Sequence, residues 1–240
     1  MFNILITNHL ILYPLLGGLL PTIIWLWFWL KEDKLNPEPK KYIFYSFIIG
    51  MITALLVLPL EGLIIKYFPY TGLLTIILLS SSEELFKYFG AYFSALRKKY
   101  MDEPIDAVVY LITVALGFAA LENSLFVIST IKSIDFNLTK TILVSDMRFM
   151  GATLLHILSS GVIGLFIALS FYKSKILKIS YLFFGLILSI ILHSTFNFFI
   201  IKEGDDGIFI IFMITWIAII ILILSLEKVK RLGRNNLKLN

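Results

Sequence analysis

The sequence predicts an all-α fold, a polytopic bundle of about seven membrane-spanning helices with the N-terminus outside and the C-terminus in the cytoplasm. Three observations predict it. First, 59% of the 240 residues are hydrophobic and 15% are charged, and the mean hydropathy is +0.91; ordinary soluble domains are about 45–50% apolar and about 25% charged. Second, the apolar residues fall in long runs rather than in stripes opposite a polar face, so the solvent for most of the chain is lipid. Third, Lys and Arg concentrate in alternate connections, the pattern that fixes orientation across a membrane.

A spanning helix needs about 20 mostly apolar residues. On that criterion the candidates are roughly 10–30, 42–65, 71–96, 106–131, 148–172, 179–201 and 207–226. The first run has nothing basic before it, is longer than a signal peptide core and lacks a small-residue cleavage site after it, so it reads as a retained span. Lys31, Lys34, Lys40 and Lys41 follow it. Arg97, Lys98 and Lys99 follow the third span, Lys173, Lys175 and Lys178 the fifth, and Lys228, Lys230, Arg231, Arg234 and Lys238 lie in the tail. The remaining connections hold only Lys66, Lys132, Lys140 and Lys202. This alternation supports both the count and the orientation. The tail from Glu227 reads as a short solvated basic end. No repeat or low-complexity segment divides the chain, so residues 1–240 read as one integral membrane domain.

The net charge of +5 comes from 21 Lys and Arg against 16 Asp and Glu. Because the basic residues sit between apolar runs, they read as topology signals beside anionic lipid, not as a nucleic-acid surface. Cysteine is absent, which excludes disulfides, thiolate metal sites and a cysteine nucleophile.

An ionisable side chain inside a bilayer is costly and is usually paired or functional, so the polar residues that interrupt the apolar runs carry the information. The third run holds Ser80-Ser81-Ser82-Glu83-Glu84-Leu85-Phe86-Lys87, the fourth Glu122-Asn123, the fifth His156 with Ser159 and Ser160, and the sixth His193 and Asn197. Arg148 marks the outer end of the fifth. Glu122, His156 and His193 each lie about eight residues from the outer end of their span, or about 12 Å deep at the helical rise of about 1.5 Å. Glu83 and Glu84 fall about one turn deeper and Lys87 a further turn toward the cytoplasm. One polar chamber in the outer half of the membrane accounts for all of them.

Glu83 with Lys87 is an i,i+4 pair and Glu84 with Lys87 an i,i+3 pair, so either carboxylate can neutralise the lysine. The other is then available as a general base or a metal ligand. The bland reading of each histidine is a hydrogen-bonded core residue, and that of Asn197 a contact between helices. Sharing a face with His193 at i,i+4, Asn197 can instead orient the imidazole or donate to an oxyanion. The serines read as small packing residues with satisfied hydroxyls, and Asp106 as a helix start. Together the set supplies a base for water, imidazoles for a metal or a carbonyl, and an amide donor, which suits hydrolysis of a peptide bond. A proton-coupled transporter with a carboxylate, histidine and lysine relay uses the same residues equally well. There is no H-E-x-x-H pair and no G-x-S-x-G elbow.

Glu83-Glu84-Leu85-Phe86-Lys87 resembles the EExxK signature of the PrsW family of bacterial intramembrane proteases, which is distantly similar to the CAAX prenyl endopeptidase and bacteriocin-processing family. Asp33-Lys34-Leu35-Asn36-Pro37-Glu38-Pro39 resembles that family's D-x-x-x-PEP loop. Asp102-Glu103-Pro104-Ile105-Asp106 leads into Gly117-Phe118-Ala119-Ala120-Leu121-Glu122-Asn123, which is similar to its G-F-x-x-x-E-N segment. Arg148 to Gly151, His156 to Gly161 and His193-Ser194-Thr195-Phe196-Asn197 complete the order, so the resemblance covers roughly residues 25–200. It implies a multi-pass protease of the bacterial cell membrane that makes the first, extracytoplasmic-side cut in a single-pass anti-sigma factor, leading to release of a sigma factor. It implies as catalytic residues Glu83, Glu84, Glu122, His156, His193 and Asn197, with Lys87 as charge partner of Glu84. The family is classed among metallopeptidases. His156, His193 and Glu122 are the candidate ligands for Zn2+, while the residues fit a metal-free glutamate mechanism as well. Processing of another membrane or secreted peptide by the same fold is the alternative within the enzyme class.

Overall fold

The protein is described by a computed structural model, which gives the backbone of residues 2–33, 36–131, 138–202 and 204–237 and the side chains of residues 16–33, 36–129, 151–201 and 209–232. Seven α-helices follow in order: α1 (Phe2–Leu30), α2 (Lys40–Tyr67), α3 (Leu73–Ala91), α4 (Pro104–Ile131), α5 (Leu138–Leu169), α6 (Lys175–Lys202) and α7 (Gly204–Leu237). No strand occurs among the described residues. Among the described residues five helices are long and apolar enough to cross a membrane by length and composition, namely α2, α4, α5, α6 and α7. The other two lie where the first and third apolar runs stand in the sequence. In α3 a span of 19 residues carries Glu83, Glu84 and Lys87, which lowers its hydropathy.

Each predicted run is a helix, and the boundaries differ where helix formation outlasts hydrophobicity. Helix α5 starts at Leu138, ten residues before the apolar stretch, and Arg148 lies outside the residues whose side chains are described. The tail expected to be a short solvated end is instead the last turns of α7. Leu226 and Val229 are buried, and Lys230 Nζ donates to Glu32 Oε2 at 2.6 Å and Glu227 Oε1 at 3.0 Å. Glu and Lys are good helix formers, and an apolar residue every third position keeps one side of this segment against the bundle.

Helix α4 is the axis. It packs against α5, α1 and α2, while α6 closes on α3 and α5, and α7 covers α5 and α6. From Ala107 to Ala120 nearly every side chain of α4 is excluded from the surface, whereas Leu55, Leu56, Phe183, Phe184 and Ile191 on α2 and α6 point outward, as a lipid-facing ring requires. Helices in lipid approach closely where small residues allow it. Gly50 of α2 faces the Val114 carbonyl of α4, and Gly117 of α4 faces the Phe47 carbonyl of α2; a Cβ at either position would collide with that backbone oxygen.

The segment between α1 and α2 is tied to the first turn of α4. Pro104 opens that helix, where its missing N–H costs nothing. Asp106 Oδ2 accepts the backbone N–H groups of Asp102 at 2.9 Å and Glu103 at 2.7 Å, so Asp106 is the helix start expected of it. The Tyr110 hydroxyl donates to Glu38 Oε2, and the Glu38 N–H donates to Asp33 Oδ2 at 3.3 Å. Burial, reinforced by the neighbouring Asp106 charge, pushes the Asp33 carboxyl up to about 7.

Candidate active site

Helices α3, α4, α5 and α6 carry the polar residues singled out in the sequence, and the fold brings them together. Glu84 of α3 is wholly buried and is the hub of the cluster. Its Oε1 accepts from Lys87 Nζ, from Ser159 Oγ at 2.9 Å and from His193 Nδ1 at 2.6 Å, and its Oε2 accepts from Ser189 Oγ at 3.1 Å and Ser160 Oγ at 3.4 Å. One carboxylate therefore fastens α3 to both α5 and α6. The sequence spacing leaves open which glutamate meets Lys87, and in the fold it is Glu84. Ser81, Ser82, Ser159 and Ser160 are satisfied as expected, by their own helices or by the Glu84 carboxylate, whereas the buried Ser80 hydroxyl has no partner among the described residues.

Lys87 is equally enclosed. Its Nζ also lies 2.9 Å from His156 Nδ1 and 5.0 Å from the centroid of the Phe118 ring. A lysine ammonium can only donate, so His156 Nδ1 accepts and its Nε2 carries the proton. That Nε2 lies 2.7 Å from Glu122 Oε2 and donates to it. By the same reasoning His193 gives its Nδ1 proton to Glu84, leaving Nε2 with a lone pair 3.7 Å from Glu83 Oε2. The two imidazole rings stand nearly perpendicular with centroids 5.4 Å apart. Asn123 Nδ2 donates to Thr153 Oγ1 at 3.1 Å, a contact between α4 and α5 beside Glu122.

Glu83 differs from its neighbour. Its side chain points away from the serine cluster into a cavity of about 420 Å³, and its Oε2 is buried with no hydrogen-bond partner among the described residues. Glu122, His156, His193 and Asn197 line the same cavity, and Phe196 and Phe212 supply part of its apolar wall. The cavity reaches Tyr70, in the connection after α2, and Ile200 and Ile201, near the end of α6.

One ligand atom each from Glu83, His156 and His193 lie within 4.8 Å of one another. Two imidazoles and a carboxylate form a donor set suited to a divalent transition metal such as zinc. The partnerless Glu83 oxygen and the open His193 Nε2 fit that use as they stand, whereas His156, engaged by Lys87 and Glu122, offers a lone pair only after its Nε2 proton passes to Glu122. Glu122 reaches the group through His156.

Sequence reasoning missed two residues. Glu61 of α2 lines the same cavity, and a smaller adjoining one of about 80 Å³ with Glu83 and Glu122; its signal was a single acid interrupting the second apolar run. Ser189, which donates to Glu84, stands one turn before His193 on α6.

The family model for the PrsW family intramembrane metalloprotease matches residues 38–224. Among curated proteins the chain is similar to Protease PrsW of Clostridioides difficile, 25% identical over 221 residues and 89% of each chain. It is similar to Protease PrsW of Oceanobacillus iheyensis, 26% identical over 224 residues, covering 92% of this chain and 96% of that one. Protease PrsW of Shouchella clausii is 27% identical over 195 residues, covering 78% and 82%. No solved structure matches the chain.

Proposed function

Since the chain belongs to the PrsW family of intramembrane metalloproteases, we propose that this multi-pass bacterial membrane peptidase makes the first, extracytoplasmic-side cut in a single-pass anti-sigma factor, so that later proteolysis frees a sigma factor. The observation that carries the reading is the contrast between adjacent carboxylates. Glu84 is saturated by five donors, while Glu83 presents an oxygen with no partner to a cavity lined by two imidazoles.

In the proposed chemistry Glu83 takes a proton from water as the water oxygen attacks the scissile carbonyl, and returns that proton to the leaving amine. Asn197 donates to the developing oxyanion. Glu84 does no proton transfer; it neutralises Lys87 and fixes the tautomer and orientation of His193. Glu122 orients His156 in the same way. Glu83 and the open Nε2 of His193 would hold the metal, Zn2+ by their donor chemistry, with His156 Nε2 joining them once its proton passes to Glu122, and a bound ion would supply Lewis-acid polarisation and a more acidic water. The cavity's reach to the connections after α2 and α6, which are poor in Lys and Arg, supports cleavage on the outer side.

The test is co-expression with a doubly tagged anti-sigma factor from the same genome, comparing wild type with Glu83→Gln at matched protein levels. A shortened anti-sigma factor with wild type alone is the expected result. Intact substrate with wild type, in cells where another single-pass reporter is cut, would overturn the substrate assignment. Zinc analysis of the purified wild-type protein separates the metal from the metal-free mechanism.

A further inference from the structure

Glu61 is the only acidic residue of α2. It interrupts the apolar run two residues after Pro59 and is half-buried. A carboxylate at that depth is ordinarily paired, yet among the described residues Glu61 makes neither a hydrogen bond nor an ion pair. The basic residue nearest on its own helix, Lys66, is turned over the ring of Tyr67. Lys87 attracts Glu61 from a distance, and Glu122 repels it. Since Lys87 is already committed to Glu84 and His156, it supplies no direct partner.

The surroundings point to what is missing. Glu61 stands on the wall of the cavity that holds Glu83, His156 and His193, and no lysine or arginine lines that cavity among the described residues. Apolar surface from Ile65, Ile76, Leu79 and Leu155 flanks it. Besides Glu83, which the reaction uses, Glu61 is the carboxylate of this cavity without a direct partner among the described residues, and an apolar wall that ends in such an acid is complementary to a long aliphatic side chain ending in a positive charge. Such a side chain lays its methylenes on the apolar wall and its charge on the acid.

We propose that Glu61 is a specificity subsite that receives a lysine or arginine side chain of the substrate beside the bond that is cut. The inference rests on the proteolytic reading above and narrows its substrate class to membrane segments with a basic residue at the extracytoplasmic boundary. Glu61 touches the substrate side chain and takes no part in the proton transfers.

The test uses a library of single-pass reporters whose membrane-boundary stretch is randomised, co-expressed with the full-length protein, with cut sites read by mass spectrometry. Wild type should enrich Lys and Arg at one fixed position beside the cut by about tenfold over Asp and Glu, the scale of a partly buried ion pair. Glu61→Gln should lose that enrichment among the clones it still cuts, and Glu61→Lys should enrich Asp and Glu at the same position. Inverted preference is a gain that misfolding cannot produce. Cutting by wild type with no basic preference, or a preference that survives in Glu61→Lys, overturns the subsite and leaves the protease standing. Loss of all cutting in every Glu61 variant, with the proteins folded, also overturns it and makes Glu61 part of the reaction. No cutting by wild type anywhere in the library sinks the proteolytic reading itself.

Discussion

Replacing Glu84 by Gln should unfold the chamber, whereas replacing Glu83 by Gln should leave it standing and inert. The Glu84 carboxylate accepts from Lys87, His193, Ser159, Ser160 and Ser189, all of them buried. Glutamine keeps one acceptor oxygen, offers an NH2 group that opposes the remaining donors, and leaves the enclosed Lys87 ammonium without a charged partner in contact. Breaking a buried ion pair from one side costs about 3–5 kcal/mol. For a chain of this size that corresponds to a fall of about 6–20 °C in Tm. Glu83 Oε2 has no hydrogen-bond partner to lose, so Glu83→Gln should move Tm by less than about 3 °C while lowering cleavage by about 10²–10⁴. Thermal unfolding in detergent gives the first quantity and the reporter assay the second. Removing both charges in Glu84→Gln/Lys87→Met should recover part of the stability lost in Glu84→Gln, because the unpaired cation is gone. Equal destabilisation by the two single glutamine variants, or a double variant no better than Glu84→Gln, would refute the division between a saturated and an open carboxylate.

Four further outcomes follow from the geometry. His193→Ala should abolish cleavage and, if the ion is zinc, reduce the zinc retained by the purified protein, as measured by elemental analysis. Gly117→Ala should cost about 3 kcal/mol, the upper range for overpacking, because a Cβ there meets the Phe47 carbonyl; Gly62→Ala, with nothing near its Cβ, should cost nothing in the same melting assay. The buried Asp33 carboxyl, held at about 7 against its usual 3.8, opposes ionisation in the fold, so its contribution to stability declines as pH rises from about 4 through 7. Asp33→Asn should therefore stabilise by up to about 4 kcal/mol at pH 8 and by less than half of that at pH 5, read as Tm against pH. A reporter fused after Asn240 should read cytoplasmic.

The helices were legible because the bilayer imposes a length: seven apolar runs became seven helices, and Arg and Lys marked the connections. What hydropathy misses is helix that continues into water. The first ten residues of α5 and the tail of α7 are too polar to register as span, yet Leu226 and Val229 show the tail packing on the bundle. In the chamber the motifs named most of the lining. Spacing alone could not decide between Glu83 and Glu84 as partner of Lys87, since i,i+3 and i,i+4 are both neighbours on a helix. That decision comes from α5 and α6, whose serines and His193 surround only Glu84. Glu61 was invisible for a related reason. A lone acid near the end of a span carries no information about what it faces until the close contact of Gly50 and Gly117 sets α2 against α4.

A membrane interior punishes an unsatisfied charge more than water does, and the distribution of partners in this fold follows from that penalty. Lys87 and Glu84 sit at full burial with every available atom engaged, and they join α3, α5 and α6 through one network. Such a network is costly to assemble and is destabilised by loss of any one member, so its members are poorly placed to change protonation during a reaction. The groups suited to turnover are those at its edge, where Glu83 and the Nε2 of His193 face the cavity rather than the network, with Glu61 on the same wall to meet the substrate. If this division holds, Ser189→Ala should lower stability and cleavage together, since it loosens the hub. Glu61→Lys should alter which segments are cut while leaving the melting temperature near that of wild type. A Ser189→Ala protein that keeps its stability and loses cleavage would place Ser189 at the reacting atoms instead, and the separation of scaffold from site would have to be redrawn.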